Sequence, residues 1–331
     1  MTDTGPLPGS SRWGPSSTVW DTDDWRWEAT RWIDAALDRR GLTRIPTSPR
    51  QPRIRPWSTL LVVETDQGRA WFKAGVPEQS PEAAVLDLLR RVAPDAVIPT
   101  WAADAERGWL LQPDHGKLLR DVATADTIVS AWSGVLRGYA RLQRASASIA
   151  EDLVAAGVPK LAPQDLVTRW IARARPEERA ADASLREAAD RLDSLGLPPT
   201  IQHDDLHAGN VFCADVSTRA LQDARVFDWG DAYVGNPLCS LLVALRNPSY
   251  HFDLPADSER DARLARAYFS GWSDLATPSA LTAALPDALL LARVGRLIGW
   301  ERALARADEG EREQWAPHTD QWAAEIMAEA G

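Results

Sequence analysis

The sequence predicts an α+β protein of two unequal lobes, a small β-rich N-lobe followed by a larger, mainly α-helical C-lobe. Three observations predict it. Short apolar, turn-bounded runs of strand character cluster between Leu60 and Leu111. After Pro113 the apolar residues recur with helical, 3.6-residue periodicity. The chain has 331 residues, too many for one small core. The boundaries that follow are a flexible leader over 1–18, the N-lobe over 19–112 and the C-lobe over 113–331.

In the N-lobe, Asp23 to Arg40 carries Trp25, Trp32, Ile33, Ala36 and Leu37 on one helical face, and Gly41 is a natural stop. The Pro- and Arg-rich stretch from Thr43 to Pro56 reads as irregular. A hairpin follows, with strands Leu60–Glu64 and Arg69–Ala74 around a turn at Thr65–Gly68. Ser80 is the expected N-cap and Pro81 the first position of a helix running to Arg91. Val97-Ile98 and Trp109–Leu111 read as two further strands. In the C-lobe, Asp126–Ala145 (punctuated by Gly134 and Gly138), Pro163–Arg175, Ser184–Leu195, Pro237–Leu245, Ser258–Trp272, Asp287–Ala305 and Asp320–Ala330 read as helices. Short strands at Val211-Phe212 and Arg225–Phe227 interrupt them.

Composition narrows the function classes. Hydrophobic content of 45% and charged content of 25% are those of a globular protein with a sizeable core. No apolar run approaches the length of a membrane span. A net charge of −10 counts against nucleic acid as a partner, since phosphate backbones select basic surfaces. Cys213 and Cys239 form no metal-type pair, and the Gly/Pro/Ser/Thr-rich N-terminus has no apolar signal region, so a cytoplasmic setting is expected.

The chemistry concentrates between Gln202 and Asp231. His203-Asp204-Asp205-Leu206-His207-Ala208-Gly209-Asn210 is an H-x-D-x-x-x-x-N run, and Asp228-Trp229-Gly230 follows after a short hairpin. That spacing offers one carboxylate, Asp205, to orient or deprotonate an attacking hydroxyl, and an amide, Asn210, for a metal ion. Asp228 adds a hard oxygen, and Mg²⁺ takes one or two such carboxylates with phosphate oxygens. Alternatively Asp205 and Asn210 are turn residues, a reading that their matched offsets to Asp228 disfavour. His203 and His207 stand four apart, but Gly209 and the upstream Pro198-Pro199 disfavour the helix a zinc pair needs, so both are expected to bond the loop backbone.

These motifs resemble those of the aminoglycoside phosphotransferase and choline kinase-like family, small-molecule relatives of the protein kinase fold. His203–Asn210 is similar to that family's H-G-D-L-H-x-G-N and Asp228–Ala232 to its D-W-G-D-A. Asp204 departs, standing where the family usually has Gly. The resemblance implies a two-lobed kinase-like fold and Mg²⁺ with ATP as cofactors, GTP staying open as the donor. In kinases a strand lysine pairs with the phosphates and with a helix glutamate. Lys73, one of only three lysines among 37 basic residues, fits that role, with Glu82 as partner and Glu78 as rival; an edge-strand lysine and a helix-dipole acid are the plain alternatives. The glycine-rich phosphate loop is absent. Pro56-Trp57-Ser58-Thr59 takes its place, so Ser58 and Thr59 are expected to cover the phosphates, with adenine against Leu110–Pro113, especially Leu111 and Gln112.

No protein substrate is expected, because Asn236-Pro237 opens a helix where protein kinases carry a long activation segment. The expected activity is transfer of the γ-phosphate of ATP to a hydroxyl of a small, amine-bearing acceptor such as an aminoglycoside or amino sugar. A sugar, amino-alcohol or fructosamine kinase and a nucleotide-binding pseudoenzyme are the alternatives. The amine rests on residues 301–331, where eight acids oppose three arginines and Trp300, Trp315 and Trp322 interleave. Trp300, Glu301, Asp320 and Trp322 are the acceptor-binding candidates there; a solvated terminal helix pair is the plain alternative.

Overall fold

Turn chemistry and strand alternation build the first lobe of the computed structural model, which describes residues 16–79 and 81–330. Helices α1 (Ser16–Trp20) and α2 (Asp23–Asp38) precede strands β1 (Arg50–Ile54), β2 (Ser58–Thr65) and β3 (Gly68–Gly75). Helix α3 (Glu82–Val92), β4 (Ala102–Asp104) and β5 (Trp109–Pro113) complete the lobe. The five strands form one antiparallel sheet in the order β1-β2-β3-β5-β4. Alternate residues of a strand face opposite sides. Leu61, Val63, Phe72, Ala74 and Leu111 therefore pack with Trp25, Ile33 and Leu37 of α2 in one buried cluster, while Ser58, Leu60, Val62 and Lys73 face the other way.

The second lobe is helical. It comprises α4 (Leu119–Val122), α5 (Ile128–Ser146), α6 (Ala150–Ala155), α7 (Pro163–Arg173), α8 (Asp182–Ser194), α9 (Thr218–Gln222), α10 (Leu241–Phe252), α11 (Ser258–Phe269), α12 (Pro278–Ala303) and α13 (Glu309–Ala330). Strands β6 (Lys160–Leu161), β7 (Thr200–Gln202) and β10 (Tyr233–Gly235) form a small sheet, and β8 (Val211–Phe212) pairs with β9 (Arg225–Val226). α12 is the buried spine of this lobe and packs on α7, α8 and α13. A buried polar lattice anchors the loop that follows β7. Gln143 donates to Gln202 Oε1 at 3.0 Å, Ser240 donates to the same oxygen at 2.6 Å, and the His203 amide donates to Tyr139 Oη at 2.9 Å. Satisfied networks of this kind fix backbone position.

Several expectations change. Residues 1–15 of the leader and the Ser80 cap lie outside the described residues, but Ser16–Thr18 are already helical, because Trp20 buries into the N-lobe core and draws α1 with it. The stretch expected to be irregular supplies β1. Its register is interrupted between Arg50 and Arg53, around Pro52, where an edge strand tolerates a missing N–H. Pro81 sits at the N-cap of α3 rather than inside it. Val97-Ile98 is not a sheet strand, and Val97 makes only a single bridge to Val226; the fourth strand is Ala102–Asp104. α12 and α13 begin well before the expected starts and run through Pro286 and Pro317.

Candidate active site

The loop after β7 is held in an unusual backbone shape. Asp204 and Asp228 both have left-handed φ, 64° and 66°, a region where only glycine is unstrained and where Asp and Asn are the tolerated substitutes. Two turns result, bringing the H-x-D-x-x-x-x-N loop and the start of D-W-G-D-A beneath the sheet's free face. The β8–β9 pair joins them, and the Phe227 amide donates to the Asn210 carbonyl at 3.1 Å.

The structure places Lys73, Glu82 and Asp228 together. Lys73 Nζ lies 2.6 Å from Glu82 Oε2 and 2.5 Å from Asp228 Oδ1, and Glu82 Oε1 accepts from the Trp229 amide at 3.0 Å. Burial disfavours the ammonium, but Asp228 and Glu82 outweigh it and raise the Lys73 pKa. Asp228 is likewise opposed by burial and held below its ordinary value by Lys73, with Arg53 and His203 adding to it. The rival glutamate, Glu78, is engaged elsewhere: its carbonyl accepts from Arg302 Nε at 2.8 Å and its carboxylate from Arg306 Nε at 2.7 Å.

Asp205 sits between Arg296 and His207. Arg296 Nη2 is 3.3 Å from Oδ1 and His207 Nε2 is 3.4 Å from Oδ2, while the side chain stays one-third exposed to the cleft. Burial raises its pKa, but Arg296 and His207 override that and hold the carboxyl below its ordinary range. Asn210 spends its Nδ2 on the Asp205 carbonyl at 3.0 Å, so its Oδ1 and the Asp228 carboxylate are the hard oxygens that a metal could use. This hard pair fits Mg²⁺, which needs few protein ligands. Among the described residues no group of three or more His, Cys, Asp or Glu side chains is arranged to hold a metal ion. His203 Nδ1 accepts from the Asp205 amide at 3.3 Å and its Nε2 contacts the Phe227 carbonyl at 2.8 Å; His207 Nδ1 accepts from the Gly209 amide at 3.0 Å. Both rings are thus committed to backbone groups.

The remaining expected residues scatter. Ser58 lies on the cleft face, but Thr59 points into the opposite side, where its hydroxyl donates to Arg53 O at 3.0 Å and accepts from Gln51. Thr59 therefore does not cover phosphates, because strand alternation turns it away. Leu111 is also withdrawn: its side chain is in the N-lobe core and its carbonyl accepts from the Trp101 amide at 2.8 Å. Gln112 faces the cleft side, with a buried Nε2 that has no partner among the described residues. Trp300 joins Trp57, Trp315 and His318 in an aromatic cluster, the Trp57–Trp315 centroids 4.9 Å apart and Trp300 stacked on His318 at 4.5 Å. Glu301 instead pairs with Arg173 at 2.8 Å, Trp322 lies under Arg246, and Asp320 is exposed. These four residues do not converge.

Three features were missed in the sequence. Arg296, buried in α12, contacts Asp204 O at 3.1 Å and Asp231 Oδ2 at 3.3 Å as well as Asp205. An arginine inside the apolar run Leu289–Gly299 was the available signal, since a buried arginine needs a partner. Phe212 and Phe227 stack at 4.4 Å beside Asn210 and Asp228, forming an apolar floor. On the outer side of Asp205, His207 stacks on His251 at 4.6 Å, and His251 meets the exposed Tyr250 at 4.9 Å. Burial, with His207 and Arg120, lowers His251 to about 4, so the His251 ring is neutral at pH 7.

A strand lysine paired with a helix glutamate above an H-x-D-x-x-x-x-N loop and a D-x-G turn defines a two-lobed, protein-kinase-like phosphotransferase. The chain belongs to the phosphotransferase enzyme family, whose family model matches residues 62–278, and it is a kinase. The fold is shared with solved structures of low identity. A macrolide 2′-phosphotransferase from Brachybacterium faecium is 20% identical over 87% of this chain and 98% of its own, with a TM-score of 0.54. An ethanolamine kinase from Plasmodium vivax is 9% identical over 95% and 92%, TM-score 0.61. A choline kinase from Streptococcus pneumoniae is 14% identical over 90% and 98%, TM-score 0.57. No curated protein matches the sequence. Among the described residues no helix is long and apolar enough to cross a membrane.

Proposed function

We propose that this small-molecule kinase transfers the γ-phosphate of ATP to an acceptor hydroxyl oriented by Asp205. The observation that carries the reading is the position of Asp205, ionised and partly exposed between Arg296 and His207, in the loop that also carries Asn210. The acceptor hydroxyl donates to Asp205 and passes its proton there as the oxygen bonds phosphorus; the departing oxygen remains on ADP. Lys73, fixed by Glu82, holds phosphate oxygens. Mg²⁺, held by Asn210 and Asp228, would neutralise charge on the transferring group. Phosphoryl transfer depends mainly on positioning and charge stabilisation, which suits a depressed rather than a raised Asp205 pKa.

The base lies against Phe212, Phe227 and Gln112. For the acceptor, we favour a molecule whose reacting end is uncharged. Arg296 is the cation paired with Asp205, and the adjoining surface carries the His251 ring, neutral at pH 7, and Tyr250. The acids of the C-terminal region support an ammonium less than their number suggests, because Glu301, Glu325 and Glu329 are paired with arginines. An amine-bearing antibiotic, amino sugar or amino alcohol fits if its ammonium lies away from the reacting hydroxyl. A coupled ADP-release screen over macrolides, aminoglycosides, amino sugars, choline and ethanolamine tests this. Acceptor-dependent ADP release with a phosphorylated product supports it, and nucleotide binding without transfer to any of these classes counts against it.

A further inference from the structure

Sheet register puts a second N-lobe cation over the cleft. Arg53 of β1 is paired with Leu60 of β2, and Leu60 with Lys73 of β3. Directly opposed residues of antiparallel strands project from the same face. Arg53, Leu60 and Lys73 thus form one row on the face above Asp228, and with strands ~4.8 Å apart Arg53 stands about 10 Å along that row from Lys73. The irregularity around Pro52 sets this register; a slip of one residue would turn Arg53 to the opposite face.

The side chain is placed but not neutralised. Arg53 Nη2 lies 3.5 Å from Ser58 Oγ, its Nε is buried without a hydrogen-bond partner, and among the described residues no carboxylate forms an ion pair with it. A half-buried guanidinium is costly without an anion, and in a chain of 47 acids the lack of one is informative. The tip of the β1–β2 hairpin is also fixed: Trp57 packs edge-on against Trp300 and Trp315, at 5.5 and 4.9 Å between centroids. Arg53 is therefore held in place by strand pairing and by the C-lobe together.

We propose that Arg53, with Ser58 beside it, binds the polyphosphate of the nucleoside triphosphate and takes the part of the absent glycine-rich loop. A guanidinium offers paired N–H donors matched to two phosphate oxygens, where a glycine-rich loop would offer backbone amides. This rests on the phosphotransfer reading, and binding measurements separate the two because they need no acceptor.

The test is titration calorimetry of the full chain and of Arg53→Met and Arg53→Lys with Mg·ATP, Mg·ADP and adenosine. Arg53→Met is expected to weaken Mg·ATP by about tenfold to a hundredfold, the range for losing a charge-assisted contact. Adenosine affinity is expected to stay unchanged, and Arg53→Lys to recover part of the loss. Equal Mg·ATP affinity in wild type and Arg53→Met overturns the proposal, as does an equal loss for adenosine, which would mark Arg53 as merely structural. A wild-type chain that binds no nucleotide overturns the phosphotransfer reading and this inference with it.

Discussion

Arg296 gathers three carboxylates, and their different pKa directions are what one buried guanidinium can and cannot do. Asp205 stays ionised, whereas burial, only partly offset by Arg296 and aided by Asp231, pushes Asp204 up to about 7. Among the described residues Asp204 Oδ2 has no hydrogen-bond partner, and it lies 3.7 Å from Arg296 Nη1. The consequence for stability has a definite sign. In the unfolded chain Asp204 loses its proton near its ordinary value of 3.8; in the folded chain it keeps it to about 7. Between these values the folded state binds more protons, so this site's stabilisation is present at low pH and is lost as pH rises through the window. Asp204→Asn keeps the left-handed backbone and does not titrate. Its melting temperature relative to wild type is expected to climb between pH 4 and 7, by an amount equivalent to ~4 kcal/mol at most; a pH-independent difference would contradict the assignment. Arg296→Met leaves these acids uncompensated and is expected to cost about 3–5 kcal/mol. Combining it with Asp204→Asn should restore part of that, as read by chemical denaturation. The sequence made Asp205, Asn210 and Asp228 visible because their spacing is local. Arg296 was out of reach because its partners lie 65 to 92 residues away.

Helix α12 shows how an element positions a loop. A Cβ at Gly299 would stand 3.3 Å from Asp204 Oδ2, and one at Gly295 3.2 Å from Tyr233 Oη. These glycines lie one turn apart on either side of Arg296 and let the helix approach the loop closely enough for its guanidinium to reach. Gly138 in α5 has only Arg141 of its own helix nearby, at 3.7 Å. Gly→Ala in a helix ordinarily stabilises by about 1 kcal/mol, so Gly138→Ala should raise stability. Gly299→Ala should fail to raise it and should lower turnover, because Asp204 is held by Arg296 and its own backbone and cannot withdraw. Equal gains at both positions would show the close approach to be inconsequential. Among the other elements, the β2–β3 hairpin was legible from alternation and a Gly-containing turn. β1 was hidden because proline and arginine dilute it and its pairing comes from β2. α12 and α13 run through Pro286 and Pro317, because tertiary packing overrides the local cost of a proline.

Across the whole molecule, the two lobes are tied at the cleft by Glu78 to Arg302 and Arg306, and by Trp57 to Trp300 and Trp315. Both ties join N-lobe loops flanking β2 and β3 to the end of α12 and to α13, so the C-terminal helices brace the N-lobe sheet. The sequence leads one to expect the acceptor at these helices, from their charge, their tryptophans and the family resemblance. Composition cannot tell an acid aimed at a ligand from one already paired, and here Glu325 and Glu329 lock α13 onto Arg293 and Arg246. The most direct test of the account is acceptor-dependent ADP release by wild type and Asp205→Asn, with Mg·ATP affinity measured on both. The account predicts that Asp205→Asn binds Mg·ATP as wild type does and loses about 10²- to 10⁴-fold in turnover, the usual contribution of a positioned acid–base group. A variant that binds nucleotide normally and still phosphorylates the acceptor at near wild-type rate would contradict it.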